Sequence, residues 1–424
     1  MKKDKVLAVE YIRNRWLCHG CGICKAVCKQ DAIEMVYGKK YRNHVPVINH
    51  KKCKECGLCI DVCPGKEVNF SEISKKFLDG GKYDILSGHY ISNYFAWARD
   101  KDIRWKAASG GIATALAKFL LNSGQADKII VVTKGNSGGC LDFKGTVISH
   151  EDNLHKAMGS KYCSVPLCAA LKKIPRNDRI AVFGLPCHIH GIRKAQLEDK
   201  LFGKLDMILI GIFCGGTKGR ESTEWIIKKR GLDFSKLIEI NYRGNGWPGQ
   251  MVARFLDGNK LIIPYPEYAD FQFSGFRPWR CELCSDGLAE LADLSIGDAW
   301  VKEITSKNSQ GVSMVISRSQ KGEKLLKDAI SAKAIECKSS DDADAIRSQY
   351  RMLLRKKNEI VGSIMLAKMI GRGIPNYDNI LKHMHLSSII SIVKKEILYF
   401  LGRITAQYLL FYKLFTSFRF MLRK

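Results

Sequence analysis

The chain has no run of about 18 or more uncharged apolar residues. Its most apolar stretch, near the C-terminus, is broken by Lys394, Lys395, Glu396 and Arg403, so no transmembrane helix is expected. The opening residues, MKKDKVLAVEYIRNRW, hold neither an apolar signal core nor a small-residue cleavage site, and a cytoplasmic, reducing location is expected. No P-loop, Ser-His-Asp set or paired-carboxylate signature is present, which leaves hydrolase and kinase chemistry without residues to perform it. Acid is scarce: 42 Asp and Glu stand against 69 Lys and Arg, a net charge of +27. Such a chain attracts anions, whether acidic redox proteins, acidic coenzymes, phospholipid headgroups or nucleic acid, or simply solvates a basic surface. Basic runs interleaved with aromatics and recognisable nucleic-acid motifs are missing, so no nucleic-acid partner is expected.

Cysteine is what the chain has in excess: sixteen, with eight in the first 63 residues. Cys18, Cys21, Cys24 and Cys28 follow C-x2-C-x2-C-x3-C, and Cys53, Cys56, Cys59 and Cys63 repeat the spacing, with Pro64 after the last. This is the pattern of two [4Fe-4S] clusters in a bacterial-type ferredoxin module. A cuboidal cluster needs four converging thiolates; each short loop delivers three, and the fourth crosses over. Cys18, Cys21, Cys24 and Cys63 are therefore expected around one cluster, and Cys53, Cys56, Cys59 and Cys28 around the other. Gly22 and Gly57 give the loops their tight path and offer amides to cluster sulfur. Lys29 stands where Cys-Pro is usual, without loss of a ligand. Zinc sites take four ligands as two separated pairs rather than two runs of four, so a zinc-bearing basic interaction protein is the weaker reading.

After residue 70 the composition changes to apolar runs alternating with helix-like segments, as in an α/β domain. Strands are expected at Lys128 to Thr133, Arg179 to Phe183 and Met207 to Phe213. Ile112, Leu116, Phe119 and Leu120 recur at helical spacing, and a second helix is expected over Gly191 to Leu197. From Asp341 the chain reads as basic helices, and residues 381–424 hold eight Lys or Arg against one acid, Glu396. Such a segment can lie on the inner face of a membrane or pack on the body with its basic face in solvent.

Cys187 (FGLPC) and Cys214 (IFCGG) each follow an expected strand, where ligand sites gather in open α/β sheets. With the pair Cys281 and Cys284 (RPWRCELCSDG) they supply four thiolates, enough for a third [4Fe-4S] cluster; buried structural cysteines and a zinc or redox-active pair are the alternatives. Cys140, Cys163, Cys168 and Cys337 form no ligand pattern, although Cys163 near Lys161 would have a lowered pKa if exposed. Ser109, Gly110 and Gly111 open an amphipathic helix whose first amides suit a phosphate or flavin edge, or merely a helix with Ser109 as its cap. LSIGDAW brings Asp298 to the end of a strand, near a ribose or ring nitrogen, or only into a turn. Iron-sulfur clusters pass single electrons while most organic acceptors take two, so a flavin between them would convert one regime to the other.

In order along the chain, IRWKAASGGIATAL, GSKYCSVPL, FGLPCHIHGIRK, IGIFCGG, RPWRCELCSDG and ADLSIGDAW resemble the beta subunit of coenzyme F420-reducing hydrogenase and its dehydrogenase relatives, over roughly residues 85–320. The resemblance implies an FAD-binding iron-sulfur oxidoreductase whose proximal cluster is held by Cys187, Cys214, Cys281 and Cys284. It places Ser109, Gly110, Gly111 and Lys161 near the flavin, with Asp298 close by. Cys163 and Ser164 depart from the usual small apolar residue and amide. His188 and His190, on the helix after Cys187, are packed histidines or a proton route.

The expected architecture is an α/β body with a small α+β ferredoxin-like domain and a basic helical C-terminal extension. Its parts are 1–70 (two clusters), 71–178 and 179–340 (the two halves of the flavin domain, the second with the third-cluster cysteines) and 341–424. The expected function is electron passage between a ferredoxin or partner subunit, the clusters and FAD, with hydride transfer to or from an acceptor such as coenzyme F420. The alternative is a relay subunit whose complex does its chemistry elsewhere.

Overall fold

The computed structural model describes residues 8–380, apart from 136–138, 176, 199–201, 204, 269–275 and 307–309. The basic segment 381–424, on which the membrane-surface expectation rests, lies outside the described residues.

In the N-terminal module, strands β1 (Ile33–Gly38) and β2 (Asn43–Ile48) form an antiparallel hairpin with Ile33 opposite Ile48. Two short helices, Ile23–Val27 and Leu58–Asp61, begin after Gly22 and Gly57, whose φ values of 84° and 77° favour glycine.

The body is built on strands β3 (Ser92–Ala98), β4 (Lys128–Lys134), β5 (Phe143–Ile148), β6 (Ile180–Gly184), β7 (Met207–Ile212), β8 (Leu237–Asn241), β9 (Gln250–Phe255), β10 (Lys260–Pro264), β11 (Leu294–Asp298), β12 (Ser313–Ser317) and β13 (Ile335–Ser339). Eight of them make one sheet in the order β13-β3-β12-β11-β7-β6-β4-β5, while β8, β9 and β10 form a separate antiparallel sheet. The central strands β11, β7, β6 and β4 run parallel. Both halves divided at 178/179 thus contribute to a single sheet.

The central strands read as continuous apolar runs because both faces are covered. Alternation sends Ile129 and Ile130 to opposite sides. On one side Ile129, Ile208 and Ile210 meet Ile112, Leu116 and Leu120 of the Ile112–Asn122 helix. On the other, Ile130, Val182 and Leu209 meet Ile189 and Ile192 of the Pro186–Leu197 helix together with Ile23 and Val27 of the module. Each such fully buried aliphatic side chain contributes about 1.5–3 kcal/mol, so the ferredoxin-like helix shares the body's core. The Pro186–Leu197 helix starts earlier than Gly191 because Pro186 fits its first turn, where no amide is needed.

Segment 341–380 folds as helices Asp342–Leu353 and Ile360–Met369 joined by a π-helical stretch, Leu354–Glu359. The chain then returns to the module: Asn376–Tyr377 pairs with Glu67–Val68. The Asp378 carboxylate accepts from the amides of Phe70 and Ser71 at 2.7 and 2.8 Å, at the start of the Phe70–Phe77 helix. Among the described residues, no helix is long and apolar enough to cross a membrane.

Candidate functional site

None of the sixteen cysteines forms a disulfide. Among the described residues no three His, Cys, Asp or Glu side chains converge closely enough to chelate a single ion. The cysteines nevertheless fall into three groups by their mutual electrostatics. Cys59 is held above its ordinary range by burial and by Cys56, Cys28 and Cys53. Cys24 is raised by burial and by Cys21, Cys18 and Cys63, with Cys59 of the outer set next. Cys187 is raised by burial and by Cys21, Cys214, Cys281 and Cys284. Buried thiols that raise one another in this way become thiolates only around a cation, which is the donor chemistry of an iron-sulfur cage. Backbone amides point at several of these sulfurs: Gly20 to Cys18, Ala32 to Cys28 and Gly216 to Cys214, each at 3.3 Å. Such bonds tune cluster potentials.

The groups form a sequence in space. Cys56 is exposed, whereas Cys21, Cys24 and Cys63 are buried. The Cys168 amide donates to the Cys21 carbonyl at 2.9 Å, and the Cys168 thiol donates to the His188 carbonyl at 3.6 Å. Cys168 therefore lies between the inner module set and Cys187.

Beyond Cys214 opens a cavity of about 470 Å³, within the range of cofactor pockets. Its wall includes Ser109, Gly111, Lys161, Cys163, Cys214 and Asp298. The helix is opened by Gly111 in a left-handed conformation (φ 82°), not by Ser109. The Ser109 hydroxyl instead donates to the Val312 carbonyl at 3.1 Å, and the Gly110 amide is engaged by the Ser313 hydroxyl at 3.0 Å. Gly110 is a packing position: a Cβ there would sit 2.6 Å from the Ala96 carbonyl oxygen. The Lys161 ammonium donates to the carbonyls of Ala157, Met158 and Gly159 at 2.5, 2.8 and 3.0 Å. Burial brings its pKa down to about 8.

Both carboxylate oxygens of Asp298 are engaged. Arg243 reaches its two oxygens at 2.6 and 3.2 Å, and Trp247 Nε1 donates at 2.7 Å. Trp247 and Tyr265 stack on either side of Trp300, with centroids 4.9 and 5.2 Å away. The phrase NYRGNGWPG, which supplies Arg243 and Trp247, carried no recognisable motif; its glycine run was the one available signal.

Cys163 is buried, not exposed, and burial pushes its thiol up to about 12. The histidines are packed. His188 accepts from the Leu185 amide at 3.0 Å and donates to the Val165 carbonyl at 3.0 Å, with its pKa brought down to about 4 by burial. His190 contacts Asp286 at 2.8 Å.

Comparison with known proteins supplies the family. Profiles of the coenzyme F420 hydrogenase/dehydrogenase beta subunit match in two parts, its N-terminal region over residues 93–172 and its C-terminal region over 177–343. The chain belongs to this family. A 4Fe-4S dicluster domain matches residues 17–66, which makes the chain an iron-sulfur oxidoreductase subunit of the family and sets aside the zinc-protein reading. The chain is 27% identical over 362 residues to a coenzyme F420-dependent sulfite reductase of Methanocaldococcus jannaschii, covering 81% of this chain but 50% of that protein. It is 26% identical over 305 residues to a coenzyme F420 hydrogenase subunit beta of Methanothermobacter thermautotrophicus, covering 69% of this chain and 100% of that one. A chain of the F420-reducing [NiFe] hydrogenase complex from Methanosarcina barkeri shares the fold, with a TM-score of 0.55 and 24% identity over 70% of this chain and 99% of that chain.

Proposed function

We propose that this family member is a flavin-dependent subunit that connects a ferredoxin or partner subunit to an organic hydride acceptor such as coenzyme F420. The observation that carries this reading is the continuity of the three cysteine groups. The inner module set reaches Cys187 through Cys21, and Cys214 of the third group lies on the cavity wall. In this reading Cys28, Cys53, Cys56 and Cys59 hold the outer cluster, Cys18, Cys21, Cys24 and Cys63 the inner one, and Cys187, Cys214, Cys281 and Cys284 a third. FAD would occupy the cavity against Ser109, Gly111 and Lys161, with Gly110 fixing the turn behind them. The clusters supply one-electron transfer and the flavin exchanges single electrons for hydride.

The chain's own groups suit those tasks. The first amides of the Ile112–Asn122 helix and the Lys161 ammonium offer positive potential to an anionic cofactor edge. Arg243, clamped by Asp298, adds a cation with no freedom to reorganise. His188 has both ring nitrogens tied to backbone and serves as packing, which leaves proton delivery to the acceptor's side of the cavity.

A pure relay subunit needs no pocket of this size, so the cavity favours the reductase over the relay. The test is anaerobic purification with iron, sulfide and flavin counts, followed by addition of reduced F420. About twelve irons, one flavin and bleaching by reduced F420 support the proposal, at four irons per cluster. About eight irons remove the third cluster; absence of flavin leaves the relay.

A further inference from the structure

Among the described residues, the groups around Cys214 and Cys281 include more cations than carboxylates. Lys218 is 2% exposed, and among the described residues its ammonium has no hydrogen-bond partner. Arg277 and Arg355 lie beside it, and the carboxylate among them is Glu282, held by Arg277 at 2.5 Å and Arg355 at 3.8 Å. Lys356, 3% exposed, adds a further cation near Cys214. Burial and the neighbouring Arg277 and Arg355 push the Lys218 pKa well below the ordinary lysine range, so the side chain stays an ammonium only with an anion beside it. Besides Glu282, which Arg277 and Arg355 share, the groups facing Lys218 and Arg355 that can supply negative charge are the cysteine sulfurs, Cys281 for both and Cys214 for Arg355.

We propose that Lys218 is the counter-charge of the sulfur cage formed by Cys187, Cys214, Cys281 and Cys284, and that it sets the reduction potential of the [4Fe-4S] cluster held there. The inference rests on the third cluster put forward above. Reduction adds one electron to a caged anion, with no bond made or broken and no proton moved. A fixed cation at low dielectric stabilises the reduced form, which carries one more negative charge, over the oxidised form, and so raises the potential. Arg277 and Arg355 are partly neutralised by Glu282, whereas the Lys218 ammonium has no hydrogen-bond partner among the described residues. The π-helical stretch Leu354–Glu359 turns Lys356 inward, beside Cys214. Lys218 is a positioning charge, not a catalytic residue.

The experiment is an EPR-monitored redox titration of the anaerobically purified full chain as wild type, Lys218→Met and Lys218→Arg, with iron counts on each. With about twelve irons in all three, Lys218→Met moves one of three midpoints to lower potential by at least 59 mV, a tenfold change in that one-electron equilibrium. The other two midpoints stay, and Lys218→Arg stays with the wild type. Glu282→Gln, which removes the local carboxylate, moves the same midpoint upward. If Lys218→Met keeps about eight irons while Lys218→Arg keeps about twelve, the charge is needed to hold the cluster, which also supports the proposal. Unmoved or raised midpoints in a fully loaded Lys218→Met chain overturn it, as does loss of the cluster in both variants, which makes the role one of shape. A wild type with about eight irons instead removes the third cluster itself, a failure distinct from full loading with static potentials.

Discussion

The amide of Cys168 donates to the carbonyl of Cys21 across 2.9 Å, tying the α/β body to the inner cysteine loop of the N-terminal module. The approach is close because Gly22, the next residue, has no side chain: a Cβ there would lie 2.9 Å from the Pro166 carbonyl oxygen and 3.0 Å from the Ala169 amide nitrogen. From the other side Gly191 admits Ile23, with a Cβ position 3.1 Å from that side chain. The module is therefore docked by backbone contact, not hung on a linker.

Gly22→Ala is expected to destabilise the chain and loosen the inner cluster. The φ of 84° alone costs about 1–2 kcal/mol with a side chain present, and the contact with Pro166 adds to it. Gly124→Ala is the control, since its φ of 66° is similar but nothing lies within 4 Å. Denaturant midpoints of the two variants should separate, with Gly22→Ala the lower and poorer in iron. Equal midpoints would mean that the docking contact has no energetic weight.

Asp298→Ala is expected to cost about 3 kcal/mol, the lower end of the range for breaking a buried ion pair. It leaves Arg243 buried among Trp247, Trp300 and the Pro248 carbonyl without its carboxylate. Asp298→Asn, which keeps acceptor capacity for the Trp247 indole, should cost less. Urea unfolding followed by tryptophan fluorescence reads both, because the stacked pair reports directly. If Asp298→Ala unfolds like the wild type, the residue does not act as a brace of the cavity wall.

The ferredoxin module, the parallel strands and the helix after the glycine pair were legible because each rests on local spacing. The eight cysteines announce their chemistry through chain path alone, and strands buried on both faces read as apolar runs. What was not legible depends on contacts between distant segments. Ser109 looked like a helix cap, yet Ser313, some two hundred positions away, draws it and Gly110 into another arrangement. Arg355, Lys356 and Lys357 fall in the stretch that reads as basic helices, yet Lys356 and Lys357 are buried, and Lys357 meets Glu290 at 2.6 Å. Part of the basic excess that suggested an anion-seeking surface is thus inside the protein. Asn376 and Tyr377, in the segment assigned to an extension, pair with the module instead, a parallel pairing across more than 300 residues that no local pattern encodes.

Lys161 supplies a pH signature. Its pKa falls from 10.5 to about 8 on folding because of burial, so between those values the unfolded chain holds a proton that the folded chain has released. Stability contributed by this group is therefore lowest below about pH 8 and rises with pH through the window, by at most about 1.4 kcal/mol per unit. Lys161→Met should lack that rise. The check is the difference between wild-type and variant unfolding free energies from pH 7 to 10.5, which cancels the other groups that titrate there. A flat difference would show that the ammonium is not penalised by burial. Flavin retention in the same variant should fall at pH 7, where the wild-type side chain is charged.

Electron entry should depend on the rim of the outer set. Cys56 is exposed, and His50, Lys51, Lys52 and Lys54, which precede it in the chain, are exposed as well, with Glu55 the one acid in the run. A basic collar around the most accessible sulfur steers an acidic redox protein to that edge, and steering of this kind changes association rates by about tenfold or more at low salt. Replacing Lys51, Lys52 and Lys54 together by Glu is expected to slow reduction by an acidic ferredoxin by at least about tenfold at low ionic strength. The deficit should shrink at 0.5 M salt, where the screening length is about 3–8 Å. Reduction by dithionite, a small reductant that needs no docking face, gives the reference rate for the intact chain. Stopped-flow traces at several salt concentrations separate the two cases. A rate with ferredoxin that matches the wild type at every salt concentration would move the entry point away from Cys56, to another face of the molecule.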